Sequence, residues 1–151
     1  MANKYFAQLD ENNIVIRTGL VDEGSAASEA KGEAFLRSLY NEPNAIWKQY
    51  DKYTVNNTQS KGETPFRGNS AMIGGEWDEA NQVFWHVAPF PSWVKEMSNY
   101  SWQAPVAYPS ANQTAGYSIF WNEADQRWDA VKFSDESTWS WDPDTGTWIA
   151  R

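Results

Sequence analysis

A frame that occurs three times in the second half of this chain limits most strongly how it can fold. Trp77-Asp78-Glu79-Ala80-Asn81-Gln82-Val83-Phe84 lines up with Trp121-Asn122-Glu123-Ala124-Asp125-Gln126-Arg127-Trp128 and with Trp141-Asp142-Pro143-Asp144-Thr145-Gly146-Thr147-Trp148. Each copy has a Trp, an Asp or Asn directly after it, a run of turn-forming residues, and a second aromatic seven positions from the first. An Asx side chain hydrogen-bonds the backbone just ahead of it and so opens a turn, and aromatics on the two arms then pair across the strands. The frame therefore predicts a β-hairpin. Successive copies start 44 and 20 residues apart, which excludes a solenoid or propeller of fixed period and leaves a hairpin used repeatedly. Leu9-Asp10-Glu11-Asn12-Asn13-Ile14-Val15 is a degenerate relative.

Around these frames the local signals agree. From Phe66 to Arg151 the chain alternates aromatic segments with turn residues, and Pro89, Pro91, Pro105 and Pro109 discourage helix. Near the start, Tyr5 to Leu9, a turn at Asp10 to Asn13, and Ile14 to Thr18 predict a hairpin within residues 5–21, followed by a polar loop over 22–27. One helix is predicted, from Ser28 to Tyr40. Ser28 suits its N-cap, Glu29 its first turn, and Phe35, Leu36, Leu39 and Tyr40 form an apolar stripe. Asn41-Glu42-Pro43-Asn44 ends it, and Ala45 to Val55 reads as a strand around Trp47 and Tyr50. Residues 56–64 are polar without periodicity and read as a mobile loop or boundary. The expected fold is α+β and predominantly β: antiparallel hairpins rich in Trp, with one helix in the N-terminal half. Two subregions are expected, 1–60 with the first hairpin and the helix, and 61–151 with the repeated Trp hairpins.

Composition excludes several functions. With no Cys and a single His, His86, the chain lacks disulfides, thiolate metal sites, cysteine nucleophiles and the ligands of a usual zinc site. His86 lies in Phe84-Trp85-His86-Val87, where a packed or surface role is expected, and no Gly-x-Ser-x-Gly elbow accompanies it. A formal net charge of −8 argues against a groove for phosphates, so no nucleic acid partner is expected. No apolar run approaches the roughly 20 residues that span a bilayer, and no export signal is visible at the start. Synthesis in a cytoplasm, without a membrane partner, follows as the expectation. Carboxylates are plentiful (Asp10, Glu11, Asp22, Glu23, Glu76, Asp78, Glu79, Glu123, Asp125, Asp135, Glu136, Asp142 and Asp144), but nearly all fall in predicted turns. A glycosidase needs two of them flanking one sugar bond. Asp142-Pro143-Asp144-Thr145-Gly146 has the start of a calcium loop without the later glutamate, and Gly74-Gly75 has no Gly-Lys-Ser/Thr after it. No catalytic, cofactor-binding or metal-binding residue is assigned.

The most specific segments form an ordered series. Thr64-Pro65-Phe66-Arg67-Gly68-Asn69, Ala71-Met72-Ile73-Gly74, Trp77-Asp78-Glu79 with Val83-Phe84, Pro89-Phe90-Pro91-Ser92-Trp93 and Trp102-Gln103-Ala104-Pro105-Val106-Ala107-Tyr108-Pro109 follow one another. Phe6 to Val15 and Gly32-Glu33-Ala34-Phe35-Leu36-Arg37-Ser38-Leu39 with Trp47-Lys48-Gln49 precede them. Together they resemble a family of small virion structural proteins of marine and cyanobacterial tailed phages, over most of the chain. The family's usual ending, Trp-Asx-Glu with a last Trp, is matched by Trp121-Asn122-Glu123 and Trp128. Two departures stand out: Leu36, where many relatives carry a cysteine, and residues 129–151, which add one hairpin copy. The resemblance implies a non-enzymatic part of the particle, decorating the capsid or belonging to the tail or fibre, in contact with other virion proteins.

Ten Trp in such a chain have two uses, building a core without long aliphatic helices or anchoring contacts. As contact residues the sequence nominates Trp77, Trp85, Trp93 and Trp102 first, then Trp121, Trp128, Trp141 and Trp148. Hairpins with open edges suggest a homo-oligomer, a trimer or ring. The alternative ligand is a host polysaccharide. Sugar binding requires exposed, coplanar rings, whereas assembly buries its anchors against protein.

Overall fold

The sheets are antiparallel and small because the strands are short and each is closed by a local turn. A computed structural model describes residues 2–151. β1 (Asn3–Leu9) and β2 (Val15–Asp22) form the first hairpin, paired from Asn3↔Asp22 to Leu9↔Val15 with a bulge at Gln8/Leu9. Asp10 makes its turn: Oδ1 accepts from the N–H groups of Asn12 and Ile14, and Asn13 takes a left-handed φ of 62°. The return arm runs to Asp22, beyond the predicted Thr18. Helix α1 (Glu29–Tyr40) starts where Ser28 Oγ accepts from Lys31 N–H, and it stops at Asn41 in the left-handed conformation.

β3 (Ile46–Tyr50) joins β1 on its other side, giving the order β2-β1-β3. Carboxylates of α1 cap its backbone: Glu33 accepts from Trp47 N–H and Glu29 from Gln49 N–H. Glu29 also pairs with Arg67. One face of the sheet buries Phe6, Val21 and Trp47 with Leu36 of the helix. Gly32 is required there, since a Cβ would sit at or under 3.0 Å from three carbons of the Phe6 ring. The other face buries Ala7, Leu9 and Val15 under Trp77 and Phe84.

The segment 56–64, expected to be a mobile loop or a boundary, contains the short strand Thr58–Gln59 and lies inside the first unit. The predicted strand 45–55 breaks at Asp51, which accepts from Tyr53 N–H and Thr54 Oγ1. β4 (Thr54–Val55) and β5 (Thr58–Gln59) then form a hairpin around Asn56 and Asn57, both left-handed. Gln59 Oε1 accepts from the N–H groups of Lys61 and Glu63. Buried Asn69 closes the arrangement: Oδ1 accepts from Asn56 N–H, and Nδ2 donates to the carbonyls of Phe84 and Tyr100. Polar side chains bonded to backbone order this stretch, so it has no hydrophobic period.

β6 (Glu76–Asp78) and β7 (Val83–Trp85) form the first Trp hairpin. Val15 exchanges backbone bonds with Gly74 and Gly75, and Trp77 N–H donates to Asn13 C=O. These bonds knit the hairpin to the β1–β2 turn, which displaces the boundary expected at residue 60. One compact unit runs to Val87 and takes in Glu96–Ser101; the second comprises Ala88–Lys95 and Trp102–Arg151. β8 (Val94–Glu96) and β9 (Ser101–Gln103) form a two-stranded sheet along which the chain changes unit.

The second unit is a four-stranded sheet of β10 (Tyr117–Asn122), β11 (Arg127–Lys132), β12 (Thr138–Asp142) and β13 (Thr147–Ala150), in that order. Its core is Trp121, Trp128 and Trp141, covered by Phe90, Trp93, Ala104, Val106, Ile119 and Trp148. A single 3₁₀ turn, Ala111–Gln113, is the one helical element after residue 66 among the described residues. The fold is thus α+β with β predominant.

Candidate interaction surfaces

The three frames fold as three equivalent hairpins. Trp77 lies opposite Phe84, Trp121 opposite Trp128 and Trp141 opposite Trp148. In each, the Asx after the Trp accepts a backbone N–H three residues on: Asp78 from Asn81, Asn122 from Asp125, Asp142 from Thr145. The last loop residue has a positive φ, 56° at Gln82, 47° at Gln126 and 65° at Gly146. The first Trp indole donates to the Glu two residues on, Trp77 to Glu79 and Trp121 to Glu123. In the third copy that position is Pro143.

This geometry places the nominated contact residues inside. Trp77, Trp85, Trp121, Trp128 and Trp141 are buried, and Trp93, Trp102 and Trp148 are half-buried. Trp121, Trp128, Trp141, Trp148 and Trp93 come together in the second unit, whereas Trp77 and Trp85 belong to the first, where Trp85 meets Tyr100 edge-on. The indole N–H of Trp128 donates to Val106 C=O and that of Trp148 to Gln113 C=O, whereas that of Trp93 is buried without a hydrogen-bond partner. For Trp77, Trp121, Trp128, Trp141 and Trp148 the cause is that the paired aromatics of each hairpin face one side, which packs into the core. Trp85, next to Phe84 in β7, points the other way and is covered by Tyr100.

Large apolar groups left at the surface come from elsewhere. On the sheet of the second unit, Tyr117, Ile119 and Trp121 alternate with Ser118, Phe120 and Asn122, so the outer face carries Phe120 (48% exposed) and, on β13, Ile149 (46%). Between them Asp129 accepts from Arg127 Nε at 2.8 Å, Asn122 Nδ2 at 2.7 Å and Ser140 Oγ at 2.7 Å. Burial works to raise its carboxyl, and these bonds outweigh burial and hold it below the usual range. Arg151 Nε donates to Ser140 Oγ, completing a cleft of about 220 Å³ beside Phe120. In the first unit, Ile16 and Leu20 are exposed along the outer edge strand β2. Leu20, Thr18, Tyr5, Tyr50 and Tyr40 line a cleft of about 430 Å³ there, and burial raises the Tyr50 hydroxyl.

The carboxylates serve turns. Hydrogen bonds from Ser25, Trp77, Ser92, Ser137 and Thr145 hold Asp22, Glu79, Glu123, Asp135 and Asp142, respectively, below the usual range. Glu123 clamps Ser92 through both its N–H and its hydroxyl. His86 Nε2 lies 3.0 Å from Ser70 C=O, in a packed position. Among the described residues no group of three or more His, Asp or Glu side chains is placed to hold a metal ion. No helix among them is long and apolar enough to cross a membrane. No family model, no curated protein and no solved structure matches this chain.

Proposed function

We propose that this chain is an accessory structural protein of a tailed-phage particle, on the capsid or in the tail or fibre apparatus, acting through protein–protein contacts. One observation carries the reading. None of the ten Trp is fully exposed, while the exposed large apolar side chains are mostly aliphatic or Phe, among them Ile16, Leu20, Phe35, Leu39, Phe120 and Ile149 on strand edges and the helix. Tyr40 and Tyr108 are the exposed Tyr rings among the described residues. Exposed Phe and aliphatic side chains on open strand edges are surfaces that a protein contact covers. A sugar platform would need open, coplanar rings instead. Tyr5 and Tyr50 are tilted by 48°; of the nearly parallel pairs, Tyr117–Trp148 is half-buried and Tyr40–Trp47 stacks its Tyr on a buried Trp.

The test is gold-labelled antibody imaging of particles purified on a density gradient. Regular label over the head makes the protein a capsid decoration, and label confined to the tail makes it a tail or fibre part. Absence of the protein from banded particles overturns the reading.

A further inference from the structure

The second unit contains a strand pairing that it can repeat with another molecule. Its two hairpin copies are related by a shift of 20 residues, Trp121 to Trp141 and Trp128 to Trp148. They are joined by an antiparallel pairing of β11 with β12: Asp129↔Ser140, Ala130↔Trp139 and Val131↔Thr138. β11 is the second arm of one copy and β12 the first arm of the next. The sheet ends at β13, again a second arm, and begins at β10, again a first arm. Among the described residues the outer edge of β13 has no backbone partner, nor does that of β10 from Ser118 to Asn122. Such edges are templates for another strand.

We infer that β13 of one molecule pairs with β10 of a second copy of this chain, head to tail, in the register that β11 and β12 already use. Shifting that register by 20 residues places Ile149 opposite Phe120 of the second copy, Ala150 opposite its Ile119 and Arg151 opposite its Ser118. The internal junction carries a polar pair, Asp129 and Ser140, joined by a hydrogen bond of 2.7 Å. At the intermolecular one, the same positions hold Ile149 and Phe120, both about half-exposed in the single molecule. An apolar pair directly opposite across strands is the pairing unit of a sheet. Exposure of both, at the two edges that the repeat makes complementary, selects a second copy as the occupant. The contact is heterologous, so it closes into a ring or extends as a filament. The inference goes beyond the proposed function, since it needs no other particle protein.

The purified full chain tests it by sedimentation velocity from about 10 μM to about 1 mM, the range in which interfaces of a few strand pairs associate. The variants are I149K and F120K, both at exposed positions, each first matched to the unmutated chain in circular dichroism and thermal midpoint. The unmutated chain self-associates with rising concentration. Each variant alone needs at least about a tenfold higher concentration to reach the same association. Mixed one to one, they give a 1:1 dimer and nothing larger, because one junction keeps Ile149 against Phe120 while the other opposes two lysines. An unmutated chain that stays monomeric overturns the inference, as does either variant associating like the unmutated chain. A mixture of folded variants that forms no dimer does so too. None of these results bears on whether the protein is found in particles, which the labelling experiment answers separately.

Discussion

Replacing Asn69 tests whether polar bonding, and not apolar packing, orders the middle of the first unit. Its side chain is 1% exposed and joins three segments: Oδ1 accepts from Asn56 N–H at 2.8 Å, and Nδ2 donates to Phe84 C=O at 2.8 Å and Tyr100 C=O at 2.9 Å. Leaving a buried donor or acceptor without its partner costs about 1–3 kcal/mol. Asn56 is exposed and regains water, so the cost falls mainly on the two carbonyls. Asn69→Ala is therefore expected to lose about 3–5 kcal/mol, a large share of the stability of an ordinary domain. Asn69→Asp keeps the acceptor for Asn56 but turns a second carboxylate oxygen toward two carbonyl oxygens. At neutral pH it should lose more than the alanine variant. The folded-state pKa of the new acid is raised above its unfolded value of about 3.9, so the excess loss disappears as pH falls toward that value. Urea unfolding followed by near-ultraviolet circular dichroism measures the losses. Amide exchange at Asn56 reports the turn itself. An alanine variant within about 1 kcal/mol of the unmutated chain, or an aspartate variant equal to it at pH 7, refutes the argument.

Three further outcomes follow from the same geometry. Gly32→Ala, which in an open helix stabilises by about 1 kcal/mol, is expected to destabilise by about 1–3 kcal/mol because its methyl group meets the Phe6 ring; thermal midpoints in the Phe6 and Phe6→Leu backgrounds should show relief in the second. Gln126→Gly should raise the midpoint, since a left-handed non-glycine residue costs about 1–2 kcal/mol, and a lowered midpoint contradicts this. Glu123 is held below its ordinary value of 4.5 by Ser92, so its contribution is present above that value and is lost as pH falls through the lower folded-state pKa. Glu123→Gln should flatten that acid limb of the stability profile, measured by urea titration at a series of pH values.

The hairpins and the helix were legible because their signals are local. Asp78, Asn122 and Asp142 sit next to the Trp that starts each arm, and the partner aromatic lies seven residues on. Ser28 and Asn41 likewise mark helix ends through bonds within a few residues. The structure in 56–64 was hidden because polar bonds hold it, from Gln59 within the segment and from Asn69 beyond it, and such bonds leave no apolar pattern. The unit boundary was misplaced for a similar reason: what ties β6 to the first unit is backbone bonding of Val15 to Gly74 and Gly75, sixty residues apart in sequence. Which side chains of β10 lie at the surface was obscured by the strand's own composition. Ile119-Phe120-Trp121 is apolar on both faces, so alternation alone does not tell which ring points out and which builds the core.

The path of the chain through its two units has a consequence for how the protein emerges during synthesis. Glu96–Ser101 belongs to the first unit although Ala88–Lys95, just before it, belongs to the second. Until Tyr100 has left the ribosome, Asn69 lacks one of its two carbonyl acceptors and Trp85 lacks the ring against which it packs edge-on. The first unit therefore stays incomplete while the opening of the second is already being made. A fragment ending at Val87 would carry every strand of the first unit's sheets and still be missing the piece that closes them.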